Sequence, residues 1–341
     1  MKNTTITTLA ALMFSSAGAF AQDTPPPSAF TTPVGFVTVD YGVGFSYIGL
    51  NLHEQIQIAS TISSASGNVI TVADGGASNL ISGVKYILEI TSGDSAGMIQ
   101  ELTAFDEGAN TLTTSDDISA AIVSGDAYQI RPAATIESVF GANNEAGITP
   151  GGNIASSTQI WVPTGTGFAR YRYHSFFGTN EWRSFDEDGV EVAVNPADVP
   201  LIYTDGMVVF SANAGSFVLT GAVKTAPTTI AVVGNFNFVG NAYPVGTTLE
   251  STFGANNESG LDSGGNAASS DQILVPQSTG GFKNYFYFSF FGTNEWRIIN
   301  DDDTTTAIDP STVELTSGYV LLNNSGDNNI ETVAPDFYSN L

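Results

Sequence analysis

Cysteine is absent from the 341 residues, which excludes a disulfide framework, a thiolate metal site and a cysteine nucleophile. Histidine is nearly absent. His53 and His174 are the only two, too little material for a Ser-His-Asp triad, a zinc centre or a histidine general base. Basic residues are scarce, nine against 34 acidic ones, giving a formal net charge of −25. Such a surface repels nucleic acid and anionic lipid and favours bound cations. After residue 21 no apolar run approaches the ~18 residues that a helical membrane span requires, so no membrane span is expected, and helical periodicity is almost missing.

What the chain does have at its start is Lys2, an apolar stretch over 9–20 broken by Ser15 and Ser16, and the small-residue ending Ala19-Phe20-Ala21. This pattern predicts a signal peptide over residues 1–21, cleaved before Gln22. The expected location is extracellular or the outer cell surface, with the periplasm as the alternative. Loss of Lys2 leaves eight basic against 34 acidic residues, a charge of −26. Residues 22–32 (QDTPPPSAFTT) read as a stiff Pro-rich spacer.

The chain then says nearly the same thing twice. IESVFGANNEAG at 136–147 returns as LESTFGANNESG at 249–260, and GGNIASSTQI at 151–160 returns as GGNAASSDQI at 264–273. SFFGTNEWR at 175–183 returns unchanged at 289–297. The offset moves only from 113 to 114, so one folded unit has been duplicated.

Short runs of Val, Ile, Thr, Phe and Tyr end at Gly, Asn or Asp clusters roughly every 8 to 12 residues, the pattern of an all-β sandwich or barrel. The predicted fold is all-β, with two tandem β-sandwich-like modules. FSYIG at 45–49 and FNFVG at 236–240 are the same strand in each copy, but only the first copy is then interrupted, by residues 58–132. That segment is read as an inserted, small barrel-like subdomain, with strands expected at 68–72, 85–91, 98–105, 111–114 and 128–131. The predicted organisation is therefore module 1 at 33–57 plus 133–224, the insert at 58–132, and module 2 at 225–341. The end of the second copy is expected to leave a sheet edge open to strand addition or self-association.

The order GFVTV, YIGLNL, GNVITV, KYILEITSGDSAG, GDAYQIRP, QIWVP and FVLTGAV over residues 33–223 resembles an uncharacterised family of secreted, paralogous proteins known mainly from verrucomicrobial bacteria. The resemblance implies export and β structure; it supplies no activity, ligand or catalytic residue. FNFVGNAYP at 236–244 also resembles a strand-turn motif of secreted modules in other Gram-negative bacteria.

Candidate sites lie in the repeated blocks. GTNEW is read as a hairpin tip, a four-residue G-T-N-E connection followed by Trp-Arg in which Gly and Asn take positive φ. Trp182 and Trp296 then either cap the core, with Arg183 and Arg297 pairing to Glu181 and Glu295, or join Tyr173 and Tyr287 as an aromatic platform for sugar faces. Trp161, replaced by Leu274 in the second copy, reads as core. FGANNE reads as a self-satisfied turn or a ligand loop. Asp186, Asp188, Asp301, Asp302 and Asp303 form solvated acidic tips or a weak Ca²⁺ site, although neither run matches a full EF-hand loop. No other cofactor is expected. The regularly placed acids are Glu137/Glu250, Glu145/Glu258 and Glu181/Glu295, each inside a structural block. The expectation is an exported, non-catalytic protein with a binding, adhesive or structural role. Its partner would be an extracellular polysaccharide, a protein or a second copy of itself. The alternatives are a polysaccharide binder using aromatic hairpins and a secreted hydrolase.

Overall fold

The computed structural model describes residues 33–336 and 338; the predicted signal peptide and spacer lie outside the described residues. The described part is all-β, built from strands with only short helical turns between them. No helix in it is long and apolar enough to cross a membrane.

The chain opens with β1 (Val34–Tyr41) and β2 (Gly44–Ile48). It then runs through β3 (Ile58–Ser66), β4 (Val69–Val72), β5 (Tyr86–Ile90), β6 (Ile99–Asp106), β7 (Thr111–Thr114) and β8 (Ala127–Pro132). These six strands close a barrel in the order β3-β4-β7-β6-β5-β8. The sequence reading had five strands here and lacked β3, whose IASTISSAS is too poor in large apolar residues to announce itself. Alternation explains why all of β5 is buried. Tyr86, Leu88 and Ile90 fill the barrel, while Ile87 joins the core of the neighbouring sandwich and Glu89 enters a polar cluster.

After the barrel come β9 (Ala134–Thr135), α1 (Ile136–Phe140), β10 (Gln159–Thr164), β11 (Gly167–Phe176), β12 (Thr179–Phe185), β13 (Glu191–Ala193), β14 (Pro200–Leu201), β15 (Met207–Ser211) and β16 (Gly215–Ala222). The six-stranded sheet β13-β12-β11-β10-β15-β2 faces the pair β1-β16. Val39, Tyr41, Phe217 and Leu219 of the pair meet Ile48, Ile160, Tyr173, Trp182 and Val209 between them. Trp161 departs from its core reading: next to inward Ile160, it lies on the opposite face, with Phe45, Phe210 and the Arg170 guanidinium.

The second copy supplies β17 (Thr228–Val232), β18 (Asn235–Gly240), α2 (Leu249–Phe253), β19 (Gln272–Pro276), β20 (Phe282–Phe290), β21 (Thr293–Ile299), β22 (Thr305–Ala307), β23 (Gly318–Asn323) and β24 (Asn328–Thr332). It builds the same pair of layers, β17-β24 over β18-β23-β19-β20-β21-β22. The last strand pairs with β17 along its whole length in a sheet of only two strands, so among the described residues its other edge has no strand partner, the open edge the sequence suggested.

The two sandwiches meet along β2 and β18, and the contact is reciprocal. Tyr47 stacks on Phe238, its own counterpart, with ring centroids 6.0 Å apart and planes 7° from parallel. Phe168 meets Phe238 at 4.8 Å, and its counterpart Phe282 meets Tyr47 at 5.1 Å. A Cβ on Gly206 would stand 2.9 Å from Val239 O, and one on the matching Gly318 2.6 Å from Ile48 N. Position i touching j while j touches i is the signature of a two-fold interface. The duplicated copies therefore sit as a covalently joined pseudo-dimer.

The barrel is pinned beside them by buried charge. Glu89 accepts from Arg131 Nη2 at 3.1 Å, from Gln129 Nε2 at 2.6 Å and from Lys224 Nζ. Lys224 lies just past β16, where one module passes to the next. Nearby, His53 is buried against Tyr203 and must carry its proton on Nε2, which donates to Ala242 O at 3.0 Å. Burial, then the Arg131 charge, pushes its pKa down to about 3. The folded protein thus refuses a proton that the unfolded chain accepts below the ordinary His value of about 6.5. Stability from this group is full above pH 6.5 and falls toward pH 3 by about 1.4 kcal/mol per pH unit. Denaturant titrations across that range should show the slope reduced by one proton in His53→Gln; an unchanged slope would contradict the assignment.

Candidate functional site

The block SFFGTNEWR folds as the tip of a two-strand hairpin in each module. Phe176 pairs with Thr179 and Phe290 with Thr293, so the connection is only two residues long. Those residues are Phe177 (φ 47°) and Gly178 (φ 84°), matched by Phe291 (φ 48°) and Gly292 (φ 82°). Positive φ at both places is the demand of a type I′ turn, usually met by Asn-Gly or Asp-Gly. The turn therefore sits earlier than the expected GTNE, and Asn180 and Asn294 already belong to strands.

Strand alternation from that turn drives Trp182 and Trp296 inward, where each is 1% exposed. The Trp182 indole Nε1 donates to Gly141 O at 2.9 Å, and Trp296 repeats the bond to Gly254 O at 2.9 Å. Tyr173 and Tyr287 are buried beside them, edge-on to the indoles. These four rings are core and cannot stack on a ligand, which removes the platform as the sequence drew it. Arg183 and Arg297 lie on the other face of the sheet, paired with Glu181 at 2.7 Å and Glu295 at 2.6 Å.

The FGANNE loops complete that anchorage. Thr135 and Thr248 cap α1 and α2 through reciprocal bonds with Ser138 and Ser251, and the short helices lead into the FGANNE turns. Gly141 and Gly254 end the helices with positive φ, and a Cβ on either would enter the Glu145 or Glu258 carboxylate. Glu145 accepts from the Asn143 side chain at 3.0 Å and backbone at 2.9 Å, and these bonds hold its carboxyl below the usual carboxylate range; Glu258 does the same with Asn256. The loop satisfies itself. The acidic tips also serve their own turns: Asp186 Oδ1 accepts from Val190 N at 2.8 Å, and Asp302 Oδ1 from Thr304 Oγ1 at 2.6 Å. Among the described residues no group of three or more His, Asp or Glu gathers as a metal site, so Asp186, Asp188, Asp301, Asp302 and Asp303 form no preassembled cage.

What the hairpins present outward is phenylalanine. Phe177 is 93% exposed and Phe291 94%, each edge-on to its half-exposed neighbour, Phe176 or Phe290, at 4.2 Å. Phe176 rests on Gly152, where a Cβ would stand 2.8 Å from its ring, and Phe290 rests on Gly265, 3.0 Å by the same measure. The GGN block is thus the seat of the aromatic tip. Flanking it are exposed amides whose oxygens are used internally: Asn153 Oδ1 caps Ser156 N and Asn180 Oδ1 accepts from Ser175 Oγ. Asn266 and Asn294 repeat this, and among the described residues none of the four Nδ2 groups has a protein acceptor. No charged residue lies in 151–153, 175–180, 264–266 or 289–294.

The sequence reading passed over Phe177 and Phe291 in favour of the tryptophans. The missed signal was two consecutive aromatics before a glycine, since alternation cannot bury both. Comparison with protein-family models, curated proteins and solved structures finds no match to this chain.

A non-glycine residue in the left-handed region costs about 1–2 kcal/mol, and here a nearly solvated ring offers little packing to offset it. Phe291→Asn should therefore raise stability by about 1 kcal/mol in denaturant unfolding, because Asn tolerates this conformation. A loss of stability would show that the ring supports the fold.

Proposed function

We propose that the mature chain is an exported, non-catalytic binding or adhesive protein that engages its partner through the Phe177 and Phe291 tips. One observation carries this reading: a strained, water-exposed phenylalanine stands at the same turn of both modules. Folding alone favours neither the conformation nor the exposure, and a buried-core explanation applies only to the tryptophans of the same block. Exposed apolar rings on rigid strands are what an interaction surface requires. Duplication adds effective concentration, so two weak tips on one chain can hold where a single tip would not.

A hydrolase has less to build on. Glu145 and Glu258 serve their own loops, and Glu181 and Glu295 pair with arginines. A cleft of about 290 Å³ beside the barrel has Glu101, Asp116 and Asp205 in its lining, without a histidine or a repeated counterpart in the second module.

Retention of the fluorescently labelled mature protein on the washed surface of the producing cells tests the proposal. The Phe177→Ala/Phe291→Ala double variant should be retained at least about tenfold less than the native chain. Equal retention would contradict a role for the tips.

A further inference from the structure

We infer that each aromatic tip is a subsite for a neutral polysaccharide, and that the protein cross-links two such chains instead of gripping one. This deepens the binding role proposed above and rests on it.

The chemistry of the tip selects the ligand. The ring of Phe177 or Phe291 offers a flat, electron-rich face to the C–H face of a pyranose. Beside each ring stand two exposed amides, Asn153 and Asn180 or Asn266 and Asn294, whose Nδ2 groups have no acceptor among the described residues and suit sugar oxygens. No charged residue lies in the tip segments; Arg172, which donates to Gly151 O at 2.8 Å, is buried and held by Glu191, and Arg183 and Arg297 are held by Glu181 and Glu295. With a mature charge of −26, a polyanion meets repulsion and finds no compensating cation.

The symmetry selects the mode. Phe168 and Phe282 touch the seam, and Phe176 and Phe290 stand at the far ends of the same two strands. At about 3.4 Å per residue each tip lies roughly 27 Å along its strand from the seam. A two-fold axis also reverses direction: a polymer laid across both subsites would have to be read from reducing to non-reducing end at one and backwards at the other. A polysaccharide chain has one direction, so each tip takes its own chain and the rigid seam becomes the bridge.

The test uses the mature protein with hydroxyethyl cellulose and galactomannan as neutral probes and alginate as the anionic one. In affinity electrophoresis the native protein should be retarded by at least one neutral polymer and not by alginate. It should also raise the viscosity of the neutral polymer it binds. Phe177→Ala and Phe291→Ala singly should stay retarded but lose the viscosity rise, and the double variant should lose both. Circular dichroism should match the native chain in all three, because the replaced rings are solvated. No retardation by either neutral polymer, or an unaffected double variant, would overturn the subsite. A viscosity rise kept by the single variants would overturn the bridge. If the double variant fails on the cell surface while no neutral polymer is bound, the ligand class falls and the binding role stands; if it is retained on the cell surface as the native chain is, both fall.

Discussion

The stacking of Tyr47 on Phe238 organises everything else. Both residues occupy the third position of the same FxxxG strand, and their contact places the two modules about a local two-fold axis. Glycines make the approach possible. Gly49, Gly206, Gly240 and Gly318 each lie where a Cβ would run into the backbone of the other module. Backbone bonds then cross the seam, from Gly206 N to Phe238 O and from Gly240 N to Thr204 O, both at 2.9 Å. Side chains could slide over one another; backbones in hydrogen-bonding contact fix the register and hence the direction in which each tip faces.

Within a module the same economy of parts recurs. One hairpin residue is driven in and another out, and each is held by a different repeated loop. The indole of Trp182 reaches Gly141 at the end of α1, whereas the ring of Phe176 rests on Gly152. That is why FGANNE, GGN and SFFGTNEWR repeat as a set: they are three pieces of one support. A strained Phe177 survives because the strands on either side are locked by that support. The barrel adds no repeated partner to this device. Its Glu89 ties it to Lys224 at the junction, making it a third body clamped against the pair.

Much of the fold was legible because its signals are local. The repeat was visible as matched blocks, and the all-β class as alternation ended by glycine and asparagine. β3 was not legible, because a run of Ser, Ala and Thr becomes a strand only through its pairing with β4 and β8. The buried cluster of Glu89, Arg131, Lys224 and His53 was hidden for the same reason, its members being brought together by tertiary contact alone. Tryptophan drew attention by size, yet the turn sits at Phe177-Gly178, and one step of register decides which ring is core.

The account stands on two equivalent tips held in one fixed relation. Because the chain contains no cysteine, Thr179→Cys and Thr293→Cys can be introduced together and spin-labelled at exposed positions beside the tips. Pulsed dipolar electron resonance on that protein should give a single narrow distance distribution, broadened when Gly318→Val is added at the seam. A broad or multimodal distribution in the otherwise native chain would contradict the rigid two-fold arrangement.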